Sequence, residues 1–155
     1  MALQPGDIAP PFTGVTQKGE TISLADFAGQ IVVLYFYPKD DTPGCTKEAC
    51  SLRDGYAELQ ERGAVVLGVS PDSVASHQGF VEKHTLPFNL IADENHIIID
   101  AYGASRAKWF GPLGIRRNTY LIGADGRILH VFRKVLTRTH ARQILNELTT
   151  FRGSC

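Results

Sequence analysis

Little in this chain leans to an extreme, and each missing feature removes a class of function. Sixteen Lys and Arg residues stand against sixteen Asp and Glu, a formal net charge of zero, so no field draws in nucleic acid or an anionic membrane. That balance predicts a small or neutral substrate. No apolar run approaches the length of a membrane span. The opening Met-Ala-Leu-Gln-Pro-Gly-Asp has neither a basic n-region nor an apolar h-region, which predicts a cytoplasmic protein. Only three cysteines are present, Cys45, Cys50 and Cys155. Three are too few for a disulfide scaffold, and in a reducing compartment a close pair is more often redox-active or metal-binding than structural. The five histidines are scattered and none makes a metal spacing with a cysteine, so no metal and no cofactor are expected. No internal repeat, linker or low-complexity segment interrupts the chain. Its 155 residues, 43% apolar and 21% charged, predict one globular domain over 1–155.

What is there gathers on one stretch, Pro38-Lys-Asp-Asp-Thr-Pro-Gly-Cys-Thr-Lys-Glu-Ala-Cys50. It follows the apolar run Ile31–Tyr37, which suits a central strand covered on both faces. It precedes a helical pattern in which Cys45, Ala49, Leu52, Tyr56 and Leu59 share one stripe up to Gly63. Thr42 is a good N-cap, and Pro43 suits the first helical position because its missing N–H would have no intrahelical partner. Cys45 then falls in the first turn. Free backbone N–H groups and the positive end of the helix dipole there favour a thiolate over a thiol. Asp40 and Asp41, just before the helix, are expected to face solvent, since a carboxylate beside the sulfur would oppose its ionisation.

Around this corner, residues 5–30 read as an irregular lead-in with a hairpin at Lys18-Gly19. Ala64–Val69 reads as a second buried strand, and Ser70-Pro71-Asp72-Ser73 opens a helix to about His84. Leu90–Ala92 is a short strand, Ile97–Tyr102 a short helix, and Gly103–Gly114, with Trp109 and Pro112, a loop. Asn118–Ile122 and Arg127–Phe132 form a hairpin through Gly123-Ala-Asp-Gly126. The last helix carries Ala141, Ile144, Leu145 and Leu148 on one face. The order βαβα, then ββα after an insertion, is that of a thioredoxin fold: α/β, with a central mixed sheet flanked by helices and ligands expected at the C-terminal strand ends. A thioredoxin-type oxidoreductase acting on protein disulfides would carry Cys-x-x-Cys at the corner. Here the second cysteine is five positions on.

Pro38, Thr42 and Cys45 resemble the Pro-x-x-x-Thr-x-x-Cys motif of the peroxiredoxins, and Thr-Pro-Gly-Cys-Thr-x-x-x-Cys resembles its bacterioferritin-comigratory-protein, or PrxQ, branch. Gly114 to Ile122 resembles the segment that supplies that family's active-site arginine, which falls on Arg117. The resemblance implies a thioredoxin fold with peroxiredoxin-type insertions and a thiol-dependent peroxidase acting on hydrogen peroxide and organic hydroperoxides. It also implies Cys45 as the peroxidatic and Cys50 as the resolving cysteine, an atypical 2-Cys arrangement, with thioredoxin or glutaredoxin as reductant and a monomeric chain. A related subtype takes its resolving thiol from the following helix, where this chain has Phe80.

The chemistry agrees on its own terms. An ordinary thiol, with a pKa near ~8.5, is only a few per cent thiolate at neutral pH, so a thiol peroxidase needs positive potential at its sulfur. Attack on one peroxide oxygen pushes charge onto the other, and donors aimed there lower the barrier. Arg117 and the Thr42 hydroxyl are the candidates, with Pro38 shielding the sulfur from bulk water. Cys50 presents a geometric problem: Cα atoms five apart in an α-helix are about 8.6 Å apart, and a disulfide needs about 7 Å or less. The first turns must therefore unwind before the sulfenic acid on Cys45 is resolved. Two other readings compete, a thiol-disulfide oxidoreductase and a zinc module built on Cys45 and Cys50; the second lacks further ligands at usable spacing.

Overall fold

The computed structural model describes residues 2–105 and 114–152, without the side chains of the last three. Seven strands, β1 (Thr13–Thr16), β2 (Thr21–Ser23), β3 (Ile31–Phe36), β4 (Ala64–Ser70), β5 (Asn89–Ala92), β6 (Thr119–Ile122) and β7 (Ile128–Phe132), form one sheet in the order β2-β1-β5-β4-β3-β6-β7. The central β3–β4 and β4–β5 pairs are parallel, and the outer pairs are antiparallel. Among the described residues five α-helices accompany the sheet: α1 (Pro43–Asp54), α2 (Tyr56–Glu61), α3 (Val74–His84), α4 (Ile97–Ala101) and α5 (His140–Arg152).

The sheet separates two cores because successive side chains of a strand point to opposite faces. Val33, Tyr35 and Tyr37 pack with residues of α1, α2, α3 and α5, while Val32, Leu34 and Phe36 pack with α4 and the N-terminal lead-in. This two-sided burial explains why the run reads as continuously apolar. Each such side chain contributes about 1.5–3 kcal/mol, enough to hold the end of β3 in one place. The corner leading into α1 grows from that end.

The lead-in hairpin turns where expected, with Gly19 at φ +76° and Thr16 N donating to Glu20 O at 2.8 Å. The Gly123–Gly126 turn closes β6 onto β7. The stripe from Cys45 to Leu59, expected as one helix, is broken at Gly55 into α1 and α2. A Cβ at Gly55 would lie 2.6 Å from Ala141 Cβ, and Ser51 Oγ accepts from Ala141 N at 3.1 Å, so the break is where α5 crosses. Pattern alone cannot register it, because the apolar stripe continues across the break. The loop expectation for Gly103–Gly114, with Trp109 and Pro112, lies largely outside the described residues, as does Cys155. Among the described residues no helix is long and apolar enough to cross a membrane.

Candidate active site

The corner forms as its residue types dictate. Thr42 is the N-cap, extended at φ −86° and ψ 154°, and Pro43 opens α1. The Thr42 side chain makes no capping bond; its hydroxyl donates to Lys39 O at 2.9 Å. In this state it therefore offers the site lone pairs and not the donor expected from sequence. Cys45 is the third residue of α1, 1% exposed, packed in the core with Tyr35, Tyr37 and Ala49. Pro38, half-buried, borders a cleft of about 770 Å³ that Arg117, Asn118, Ile115 and Ser105 also line.

Arg117 reaches the corner through strand register. β3 pairs with β6 with Tyr35 opposite Thr119, and Phe36 N donates to Asn118 O at 2.9 Å, so continuing the register sets residue 117 at the level of Tyr37. Its guanidinium lies against Gly44, where a Cβ would come within 2.7 Å of Nη2. Glycine beside the cysteine thus makes room for the arginine. Arg116 is exposed and borders the same cleft.

Glu48 was not singled out from the sequence. It sits one turn after Cys45, wholly buried, with Oε1 accepting from Arg117 Nη1 at 3.3 Å. Its Oε2 has no hydrogen-bond partner among the described residues and lies 3.8 Å from His140 Nε2. Burial pushes the Glu48 carboxyl up to about 8 against the opposing pull of Arg117, because removing a carboxylate from water costs more than one cation at this distance returns. His140, also buried, is pushed down to about 4. Its Nδ1 donates to Gln143 Oε1 at 2.9 Å and its Nε2 accepts from Thr119 Oγ1 at 2.9 Å. Burial and then the Glu48 charge raise Tyr35, whose hydroxyl is also without a partner among the described residues. The available signal for Glu48 was a charged residue on an otherwise apolar stripe.

Asp40 does not face solvent as expected. It is 7% exposed and accepts from Tyr37 Oη at 2.6 Å, Ser76 Oγ at 2.8 Å and His77 Nδ1 at 2.7 Å, while its own N–H donates to Asp72 at 2.7 Å. His77 Nε2 donates to Ile91 O at 3.0 Å. The Asp40, Asp72 and His77 donor atoms lie within 4.8 Å of one another, yet these hydrogen bonds already use them, and the cluster ties the corner loop to α3. Asp41 is exposed, as expected, and bonded to Lys83.

Cys45 and Cys50 are both free, within one unbroken helix. Cys50 is half-buried, with Sγ 4.0 Å from His84 Nδ1. The structure therefore brings Pro38, Thr42, Cys45 and Arg117 to one corner, and places Cys50 on another side of α1, toward the end of α3.

The sequence matches the AhpC/TSA family over residues 5–131. It is 46% identical to peroxiredoxin Bcp of Escherichia coli over 149 residues, 94% of this chain and 96% of that one. A cysteine-to-serine variant of Xylella fastidiosa PrxQ superposes with a TM-score of 0.91 at 33% identity, over 98% of this chain and 99% of that one. The Xanthomonas campestris bacterioferritin comigratory protein, a structure concerned with its alkyl peroxide reduction activity, gives 0.86 at 32%, over 97% and 98%.

Proposed function

The chain belongs to the AhpC/TSA family and is a thiol-dependent peroxidase of the Bcp/PrxQ peroxiredoxin type; we propose that Cys45 is its peroxidatic cysteine. The observation that carries this reading is the Arg117 guanidinium packed on Gly44, the residue before Cys45, at the start of α1. A thiolate in that turn gains from the helix N-terminus and from the arginine. The Cys45 sulfur attacks the nearer oxygen of a hydroperoxide. A sulfur–oxygen bond forms as the O–O bond breaks, and the departing alkoxide or hydroxide takes a proton. Arg117 donates to that developing charge. Thr42 holds the loop through Lys39 and offers its oxygen to the peroxide proton, and Pro38 limits water at the sulfur.

Hydrogen peroxide and organic hydroperoxides are the proposed substrates, the second supported by the alkyl peroxide activity of the Xanthomonas campestris relative. Cys50 then attacks the sulfenic acid to give an intramolecular disulfide, after the first turns of α1 unwind. Both thiols start free, in one intact helix on divergent sides. Thioredoxin or glutaredoxin in a reducing cytoplasm returns the dithiol, and the chain acts as a monomer.

The test is single- and multiple-turnover peroxide reduction with each cysteine replaced. Cys45→Ser should abolish peroxide consumption. Cys50→Ser should consume one equivalent per chain and then stop with thioredoxin as reductant. Normal steady-state turnover by Cys50→Ser would remove the resolving assignment, and a protein that reduced insulin but not peroxide would restore the disulfide oxidoreductase reading.

A further inference from the structure

Cys50, the half-buried thiol on α1, does not stand alone. His84, the last residue of α3, presents Nδ1 to it at 4.0 Å. On the far side of the same ring, Nε2 lies 3.5 Å from Asp41 Oδ1. Sulfur, imidazole and carboxylate thus stand in a row. A carboxylate at Nε2 keeps the ring proton there and leaves the Nδ1 lone pair toward the thiol. The ring is fixed by more than this pair of contacts. Phe80 meets it edge-to-face at a centroid distance of 5.1 Å, and the His84 carbonyl accepts from Arg53 Nη1 at 2.8 Å.

Asp41 is itself aimed. It has φ +62°, a left-handed conformation uncommon outside glycine, asparagine and aspartate. Lys83 Nζ holds both carboxylate oxygens, at 3.1 and 2.8 Å. The Lys83 hydrogen bond in first place, with His84 adding, holds the Asp41 carboxyl below its ordinary range. The charged groups around the thiol–imidazole pair are Asp41 from the corner loop, Lys83 from α3, and Arg53 with its partner Asp54 from α1. One end of the segment that must rearrange is tied to α3 at Asp41 and the other at Arg53. Cys45 and Cys50 both lie between these ties, and Cys50 is three residues from the second.

We propose that His84 is the base that takes the proton from Cys50 as it attacks oxidised Cys45, and that Asp41 is the positioning residue that orients the His84 ring. The proposal rests on Cys50 being the resolving cysteine. The Cys50 S–H proton passes to His84 Nδ1, and the sulfur electron pair forms the bond to Cys45. The sulfur–oxygen bond of the sulfenic acid breaks with its pair on oxygen, which takes a proton and leaves as water. The Cys45 sulfur is reduced and the Cys50 sulfur oxidised by one level each, and the imidazolium returns its proton to solvent. Because an ordinary thiol is about 3% thiolate at pH 7, full deprotonation accelerates the step by at most about thirtyfold.

Reduced protein mixed with one equivalent of hydrogen peroxide, quenched with a thiol-alkylating reagent and followed by mass spectrometry, reads sulfenic acid formation and disulfide formation separately. His84→Asn is expected to slow disulfide formation about tenfold relative to Cys45 oxidation at pH 6.5–7, the deficit closing toward pH 9 as hydroxide takes over the part of the base. Added imidazole is expected to accelerate disulfide formation in His84→Ala and not in the wild type. Asp41→Asn, at an exposed position, is expected to slow it severalfold over the same pH range and is insensitive to any folding defect at His84. Wild-type disulfide rates in His84→Asn across the pH range, or no rescue by imidazole, would overturn the base assignment. A wild-type rate in Asp41→Asn would overturn its positioning role. Failure of the underlying reading looks different: Cys50→Ser would still form a Cys45 disulfide within the chain.

Discussion

Two buried groups, Glu48 and His140, set opposite pH slopes on the stability of this protein. Glu48 has a folded pKa of about 8 against an ordinary 4.5, so the fold holds a proton that the unfolded chain releases; its contribution is full below 4.5 and is lost as pH rises through 8. His140, at about 4 against 6.5, is neutral in the fold while the unfolded chain takes up a proton; its contribution is present above 6.5 and is lost as pH falls through 4. Between 4.5 and 6.5 the two slopes cancel. Above 6.5 only the Glu48 slope remains, about 2 kcal/mol by pH 8 at one pKa unit per ~1.4 kcal/mol. Urea denaturation should therefore show a plateau near pH 5–6.5 and a decline toward pH 8.5, with Glu48→Gln removing the decline. A wild-type stability that is flat to pH 9 would refute the assignment. At the next position of interest, Gly44→Ala should displace the Arg117 guanidinium, the far end of a flexible side chain, at little cost in stability. Cys45 oxidation should slow about tenfold, less than the ~10²–10³ for loss of a whole transition-state donor, as read by stopped flow. At this scale the start of α1 was legible, because a helix start announces itself locally through Thr42 and Pro43. Glu48 was not, because its partner Arg117 stands 69 positions away.

At the scale of the element, α1 holds two requirements that conflict. Its helical first turn supplies the N–H groups that the proposed attack by Cys45 draws on, yet the same helix keeps Cys50 on another side, beyond the reach of a disulfide. Oxidation should therefore cost helix. Amide hydrogen exchange over residues 43–50 is expected to accelerate in the disulfide form while α5 stays protected, and an oxidised crystal with Cys45 and Cys50 joined inside an intact α1 would defeat the unwinding step. The break at Gly55 limits how far such unwinding travels, since α2 starts again on the other side with Leu59 N bonded to Gly55 O at 3.1 Å. Sequence periodicity carried the start of α1 and missed its end. The stripe persists in α2, and only the crossing of α5 at Ala141 shows why the chain must bend there.

Across the whole molecule, the corner is held from the two neighbours of β3. On one side β6 delivers Arg117 by antiparallel register. On the other, β4 and α3 deliver Ser70, Asp72, Ser76 and His77 to the buried Asp40 network. His77→Ala should leave Asp40 buried with one hydrogen bond fewer and cost about 1–3 kcal/mol, the range for a buried polar group that loses a partner. Because that network fixes the loop before α1, Cys45 oxidation should slow as well; denaturation and single-turnover kinetics on one preparation check both. The sequence by itself determined the two-faced central strand, the strand-to-helix corner with Thr42 and Pro43 at its start, and the place of Cys45 in the first helical turn. Each follows from backbone geometry and from residue types within a few positions of one another. Tertiary structure alone decided that Asp40 is buried, that burial raises the Glu48 carboxyl beside an arginine, and that Cys50 meets His84. Desolvation and pairing depend on which distant elements close over a group, and local pattern carries no record of that.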